Sequence, residues 1–162
     1  MLKIFSKLKI KKGFTLIELV VVIAIIAILA VVLIPVIGSY VADANASAVD
    51  EARRSIKTNI DIEIADMGNK GAVISTPGTV VINVDQTGVV SVDATSGGIT
   101  FGSLDAGFPM SYASSEADIA NIFEQNLLTR CGALKQIGSV TTYTAQITAL
   151  NGECVVSEVV SS

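Results

Sequence analysis

Residues 11–37 read KKGFTLIELVVVIAIIAILAVVLIPVI, a basic pair followed by a long apolar run. The 24 residues from 14 to 37 contain one charged side chain, Glu18. A helix rising about 1.5 Å per residue would make this run roughly 36 Å long, enough to cross a bilayer with some tilt. An acidic side chain is about 3 kcal/mol unfavourable at the centre of such a helix and less so near its end. We therefore expect Glu18 to have a function and a partner.

The first thirteen residues form a basic leader that contains no acidic side chain. Positive residues next to an apolar segment stay on the cytoplasmic side, which predicts a cytoplasmic N-terminus with the rest of the chain outside. An ordinary secretory signal is cut after its apolar core, behind small residues, and Ala42-Asp43-Ala44 is only a weak candidate. A single-pass anchor that keeps its leader is one interpretation. The leader lysines are Lys3, Lys7, Lys9, Lys11 and Lys12.

The string GFTLIE at residues 13–18, preceded by lysines, resembles the prepilin signature of type IV pilins and pseudopilins. The resemblance implies a prepilin peptidase that cuts between Gly13 and Phe14 and methylates the new amine of Phe14. It also implies that Glu18 acts in subunit assembly. Pro35 stands where the family often has a proline. Residues beyond the N-terminal third resemble the family in layout only.

Elementary electrostatics supports the same role for Glu18. A cut before Phe14 would free an ammonium beside a helix N-terminus, which already carries unsatisfied N–H groups and partial positive charge. Glu18 lies one turn along and would compensate either its own amine or that of a neighbouring subunit. Further along the helix, Pro35 and Gly38 are weak points. They would cause a bend in a monomer or local melting in a filament, and the sequence does not distinguish the two.

The composition excludes several functional classes. Five of the eleven basic residues lie in the leader, and without them six basic side chains face fifteen acidic ones, a formal charge of −9. Such a chain is a poor binder of nucleic acid or anionic lipid. It has no histidine, so the usual triad is impossible, and we expect neither an enzyme nor a cofactor or metal site. The loop acids Asp85, Asp93 and Asp105 are expected to form turns.

The two cysteines, Cys131 and Cys154, lie in the part of the chain that the predicted topology places outside. An oxidising exterior permits a disulfide between them, and two free buried thiols are the alternative. Many pilins close a C-terminal loop in this way, so the resemblance favours the disulfide.

The remaining pattern predicts an α+β fold. Apolar residues recur every three or four positions, which extends one helix over residues 15–67 with a stripe that needs a packing partner. Strands are predicted at 79–84 and 89–92, with a short one at 99–101 after a Gly/Ser/Thr-rich linker at 94–98. A second helix follows Ser115 with a capping-box-like start, and the Asn151-Gly152 turn joins strands 140–150 and 153–160. The stripe comprises Val49, Ala52, Ile56, Ile60, Ile64 and Met67.

These features predict a ladle-shaped pilin in four parts: leader 1–13, membrane and assembly helix 14–37, amphipathic helix 38–67, and head 68–162. The resemblance implies other pilin subunits, a prepilin peptidase, an assembly ATPase and a membrane platform as partners. It also implies a cytoplasmic-membrane stage, an extracellular pilus, and adhesion or motility at the filament level. A pseudopilin of a secretion or competence system and a membrane-anchored adhesin are the alternatives.

Overall fold

The computed structural model describes residues 13–103, 112–150 and 153–162. It contains α1 (Leu16–Asn69), β1 (Ala72–Thr76), β2 (Thr79–Val84), β3 (Val90–Asp93), β4 (Thr100–Ser103), α2 (Glu116–Cys131), β5 (Thr142–Leu150) and β6 (Glu153–Ser161). The chain divides into two compact units, residues 1–43 and 44–162. The predicted α+β class, a long N-terminal helix whose later part packs on a small antiparallel sheet, is confirmed.

In the first unit, the described chain is almost entirely the apolar beginning of α1. Among the described residues, α1 is the one helix long and apolar enough to cross a membrane, and none of its apolar window is buried. Its large hydrophobic side chains are exposed all round, from Leu16 through Val41. The helix continues through Pro35 and Gly38. Because proline has no N–H, the turn before Pro35 lacks one backbone hydrogen bond.

In the second unit, α1 is amphipathic and packs by the predicted stripe. Ala52, Ile56, Ile60 and Met67 are buried in the core, while Val49 and Ile64 are half-buried at its margin. The stripe therefore has the packing partner that its pattern requires.

The end of α1 is set by glycine. Lys70 N donates to Met67 O at 3.1 Å and Gly71 N donates to Gly68 O at 3.2 Å, which tightens the last turn. Gly71 then adopts a φ of 84°, a left-handed conformation that glycine adopts without steric cost. The helix ends at Asn69, two residues beyond the predicted Met67.

Two antiparallel sheets complete the second unit. The larger has strand order β3-β2-β5-β6, and its β2–β3 and β5–β6 pairs are the two predicted hairpins. Leu150 pairs with Glu153, so the second hairpin has a two-residue loop, although Asn151-Gly152 itself lies outside the described residues. The smaller sheet pairs β1 with β4. The short strand β1, five residues that follow directly on the end of α1, was not predicted from the sequence.

The Gly/Ser/Thr-rich segment at 94–98 connects β3 to β4, where the linker was predicted, and it packs against neighbouring elements. Ala94 is buried, and its N–H donates to Glu124 Oε1 on α2 at 2.8 Å. Thr79 N donates to Gly97 O at 3.0 Å, and a Cβ on Gly97 would lie 1.9 Å from Thr79 O. Glycine is thus required at position 97 by a close backbone approach.

Helix α1 covers the outer edge of β6 at Val156. Lys57 Nζ donates to Val156 O, and Val156 N donates to Asp61 Oδ1 at 3.1 Å. One turn of helix therefore satisfies both backbone groups of an edge residue that would otherwise be open to another strand.

Helix α2 covers the core with Ile119, Phe123, Leu127 and Cys131. The Phe123 ring lies 5.2 Å from that of Phe101 on β4, at 51°. Ser115 is the N-cap residue, but the predicted capping box is wrong. The Ser115 hydroxyl donates to Asp118 Oδ2 at 2.7 Å and accepts from no backbone N–H of the helix.

A buried carboxylate that the sequence analysis missed joins the two helices. Glu63 on α1 is fully buried. Its Oε1 accepts from Tyr112 Oη at 2.6 Å and from Asn126 Nδ2 at 2.7 Å, and its Oε2 accepts from Arg130 Nε at 2.9 Å. Burial, and then the hydrogen bond to Glu63, raise the pKa of Tyr112, so its hydroxyl stays protonated as a donor.

We predict that Glu63→Ala lowers the free energy of unfolding by about 3 kcal/mol, because removing one member of a buried ion pair leaves its partners unsatisfied. Because the Arg130 side chain is partly exposed, we expect the loss of stability to lie at the lower end of the range for broken buried ion pairs. Urea unfolding of the detergent-solubilised protein measures the change. Glu51→Ala is the matched control, because it removes an exposed acid from the same helix. Equal stability of the two variants would contradict the prediction.

Candidate processing and assembly site

The predicted cleavage site lies just before the first helical residue, Leu16. Gly13 and Phe14 have irregular backbone, and the Phe14 side chain is 89% exposed. A Cβ built on Gly13 would meet no atom within 4 Å. Nothing in the described chain therefore requires glycine at this position.

Thr15 and Glu18 form a reciprocal capping box at the start of α1. Thr15 N donates to Glu18 Oε2 at 2.9 Å, and Glu18 N donates to Thr15 Oγ1 at 3.3 Å. The Thr15 hydroxyl also donates to Glu18 Oε2 at 2.8 Å. This capping box was not predicted, although T-x-x-E before an apolar run is its usual signal.

The capping box leaves part of the carboxylate unused. Oε2 of Glu18 accepts both bonds from Thr15, whereas Oε1 accepts none from the residues that the structure describes. Phe14, Ile17, Val21 and Val22 surround Glu18 and line a shallow apolar groove. In hydrocarbon, an ionised carboxylate in such surroundings needs further donors or a cation.

The predicted kink residues, Pro35 and Gly38, do not interrupt α1. Pro35 and Gly38 lie within continuous helix, where Ser39 Oγ donates to Val36 O at 2.9 Å. Their roles in bending or melting the helix remain predictions.

The two cysteines are free thiols in this structure, so the predicted disulfide is not formed in it. Cys131 is buried and accepts from Asn59 Nδ2 at 3.7 Å, while half-buried Cys154 donates to Ile74 O at 3.7 Å. Burial raises the pKa of both thiols. The disulfide therefore stays a prediction, which the loss of two hydrogens in the intact mass of protein purified without reductant would test.

In reduced, folded protein at pH 8, we predict that an alkylating reagent labels Cys154 faster than Cys131. Both have little thiolate because their pKa values are raised, but only Cys154 is partly accessible. Peptide mass spectrometry after timed quenching measures the two rates. The control is the same reaction in urea, where the rates should converge, and equal rates in the folded protein would contradict the prediction.

Two of the three loop acids serve as turn formers, as predicted. Asp85 Oδ1 accepts from Thr87 Oγ1 at 2.7 Å and from Val89 N and Thr87 N, both at 2.8 Å, and the hydroxyl and N–H of Ser96 donate to Asp93. These bonds lower the pKa of both carboxyls. Asp105 lies outside the described residues. Within the described chain, no three histidine, cysteine or acidic side chains cluster as metal ligands.

Comparison with known families places the candidate site within a recognised motif. Residues 8–34 match the family model of the prokaryotic N-terminal methylation motif. The matched range contains Gly13, Phe14, Thr15 and Glu18 and ends one residue before Pro35. The comparisons with curated proteins and with solved structures found no match.

Proposed function

We propose that the chain is a structural subunit of a type IV pilus. The methylation motif supports the broader type IV pilin or pseudopilin family. The observation that carries the proposed assembly mechanism, which a pseudopilin would share, is the Glu18 carboxylate, set in an exposed apolar helix one turn from the proposed cut.

The proposed mechanism begins with cleavage between Gly13 and Phe14. The cut removes the basic leader and leaves an ammonium on Phe14, next to the positive end of α1. Methylation of this amine keeps its positive charge. In a packed array of subunits, Glu18 of one subunit pairs with the ammonium of its neighbour and so neutralises two charges that hydrocarbon would otherwise destabilise. The exposed apolar surface of α1 supplies the rest of the contact.

The proposed route leads from the membrane to the outside of the cell. The apolar helix is able to anchor the chain in a membrane before assembly. The leader lysines favour a cytoplasmic N-terminus, with residues 44–162 outside. The proposed partners are further pilin subunits, a prepilin peptidase, an assembly ATPase and its membrane platform. We propose a non-enzymatic role, with adhesion or motility as properties of the filament.

Glu18→Ala should leave cleavage and membrane insertion intact and abolish assembly, because the neighbour's ammonium loses its counter-charge. Electron microscopy of sheared surface filaments measures the assembled chain, and immunoblots of the membrane fraction measure the unassembled chain. Glu51→Ala is the control, since it removes an acid from the same helix outside the apolar region. Normal filaments from the Glu18 variant would refute the proposed pairing.

Gly13→Leu should block cleavage without altering the fold, because a side chain there meets nothing in the described chain. The chain should accumulate in the membrane with its leader attached and without filaments. Intact-mass measurement of the N-terminus tests this outcome. A leader retained in the wild-type protein would instead favour the plain membrane anchor.

A pseudopilin shares this whole mechanism, and the site does not separate it from a pilin. Antibody against residues 44–162 in electron microscopy of surface filaments makes the distinction. Long labelled filaments at normal expression support the pilin, and their absence from cells that process the chain supports the pseudopilin.

A further inference from the structure

We propose that the bond between Ala44 and Asn45 is a second cleavage site, at which a membrane-bound endopeptidase releases residues 45–162 as a soluble domain. The recognised pattern is Ala42-Asp43-Ala44, which fits an enzyme that accepts small side chains at the first and third positions before its cut. This inference rests on the proposed orientation, with residues 44–162 outside, and is independent of filament assembly.

The pattern lies just beyond the apolar run. Ala44 follows Ile37 by seven residues, which is about 10 Å of helix. Every side chain from residue 31 to residue 48 is exposed. An enzyme at the outer surface of the membrane would therefore reach this stretch without opening the folded core.

The helix around the pattern has little intrinsic stability. Of the ten residues 38–47, seven belong to the lower half of the helix-propensity scale and the other three are alanine. An exposed segment that buries no apolar side chain opens locally at a low free-energy cost. Because a protease cuts the opened form of its substrate, this stretch is a favourable target within α1.

The cut would leave the second unit whole. That unit begins at residue 44, and the described core lies within it, from Ala52 to Val156. Asn45 and Ala46 line a groove with Ile137 and Gly138 and would stay with the released domain. The exposed apolar side chains of residues 16–41 would stay in the membrane. The products are therefore a folded soluble domain and an apolar membrane peptide.

The sequence after the pattern carries its own signal for the start of a helix. Residues 47–50, Ser-Ala-Val-Asp, have the S-x-x-D spacing of a capping box. Asp50 and Glu51 would also place acidic side chains near the positive end of a shortened helix. In the intact chain this signal stands in the middle of α1, which runs from Leu16 to Asn69. A new helix start just before Ser47 gives it a use.

The proposed reaction is the hydrolysis of one amide bond. Water adds to the carbonyl carbon of Ala44, and the C–N bond to Asn45 breaks. The products carry a new carboxylate on Ala44 and a new α-ammonium on Asn45. The endopeptidase supplies the catalytic groups, and this chain is only the substrate.

The experiment looks for the fragment in culture fluid from cells that express the full chain. Ultracentrifugation removes filaments and membranes, antibody against residues 44–162 captures the soluble product, and intact mass identifies its first residue. We expect a chain that begins at Asn45. Ala44→Leu should lower its yield about tenfold, because a subsite that fits alanine excludes the larger side chain. Ala44→Ser keeps a small side chain and should stay within about twofold of wild type.

Ala48→Leu is the matched control, because Ala48 is exposed on the same helix and lies beyond the cut. It should release as much fragment as wild type. The inference is overturned if wild type releases no such fragment, if the fragment begins elsewhere, or if Ala44→Leu releases as much as wild type. A yield from Ala44→Ser or Ala48→Leu as low as that from Ala44→Leu overturns it as well. None of these outcomes bears on filament assembly, which Glu18→Ala tests separately.

Discussion

A carboxylate in apolar surroundings must have donors or a counter-charge, and this constraint acts twice along α1. Glu63 is fully buried and Glu18 lies among exposed apolar side chains. The same side chain on the same helix meets the constraint in two different ways. Glu63 is satisfied inside the folded unit, whereas Glu18 is left for a partner in the proposed assembly site.

Glu63 finds all its partners within the chain. Both of its oxygens accept hydrogen bonds, from Tyr112, Asn126 and Arg130. Asn126 and Arg130 lie on α2, and Tyr112 precedes that helix. The pair is partly solvated at Arg130, which limits the cost of burial. The network joins two helices around the apolar core and needs nothing from outside.

Glu18 has only a local partner in the described chain. Thr15 caps the helix and occupies one carboxylate oxygen, while the neighbouring side chains offer no donor. In water this would be an ordinary helix cap. In a membrane or a packed array of helices, the remaining charge requires a cation, and the proposed cut creates one on Phe14 of every subunit. In the proposed mechanism, the need to neutralise charge couples cleavage to assembly.

Much of this could be predicted from the sequence because it depends on neighbours along the chain. The apolar run, the stripe on α1, the β2–β3 and β5–β6 hairpins and the GFTLIE motif are local patterns with fixed periods or spacings. The Thr15–Glu18 capping box is also local, and its pattern could have been recognised. The candidate site is therefore almost entirely a property of consecutive residues.

What required the tertiary structure depends on residues far apart in sequence. The pairing of β1 with β4, the covering of Val156 by α1 and the packing of the 94–98 segment all bring distant backbone together. Glu63 stands three positions after Ile60 and four before Met67, on the apolar face, but its three donors lie 49 to 67 positions later. Short-range periodicity reports which face of a helix is apolar, but only the folded chain determines which polar group on that face is enclosed and what satisfies it.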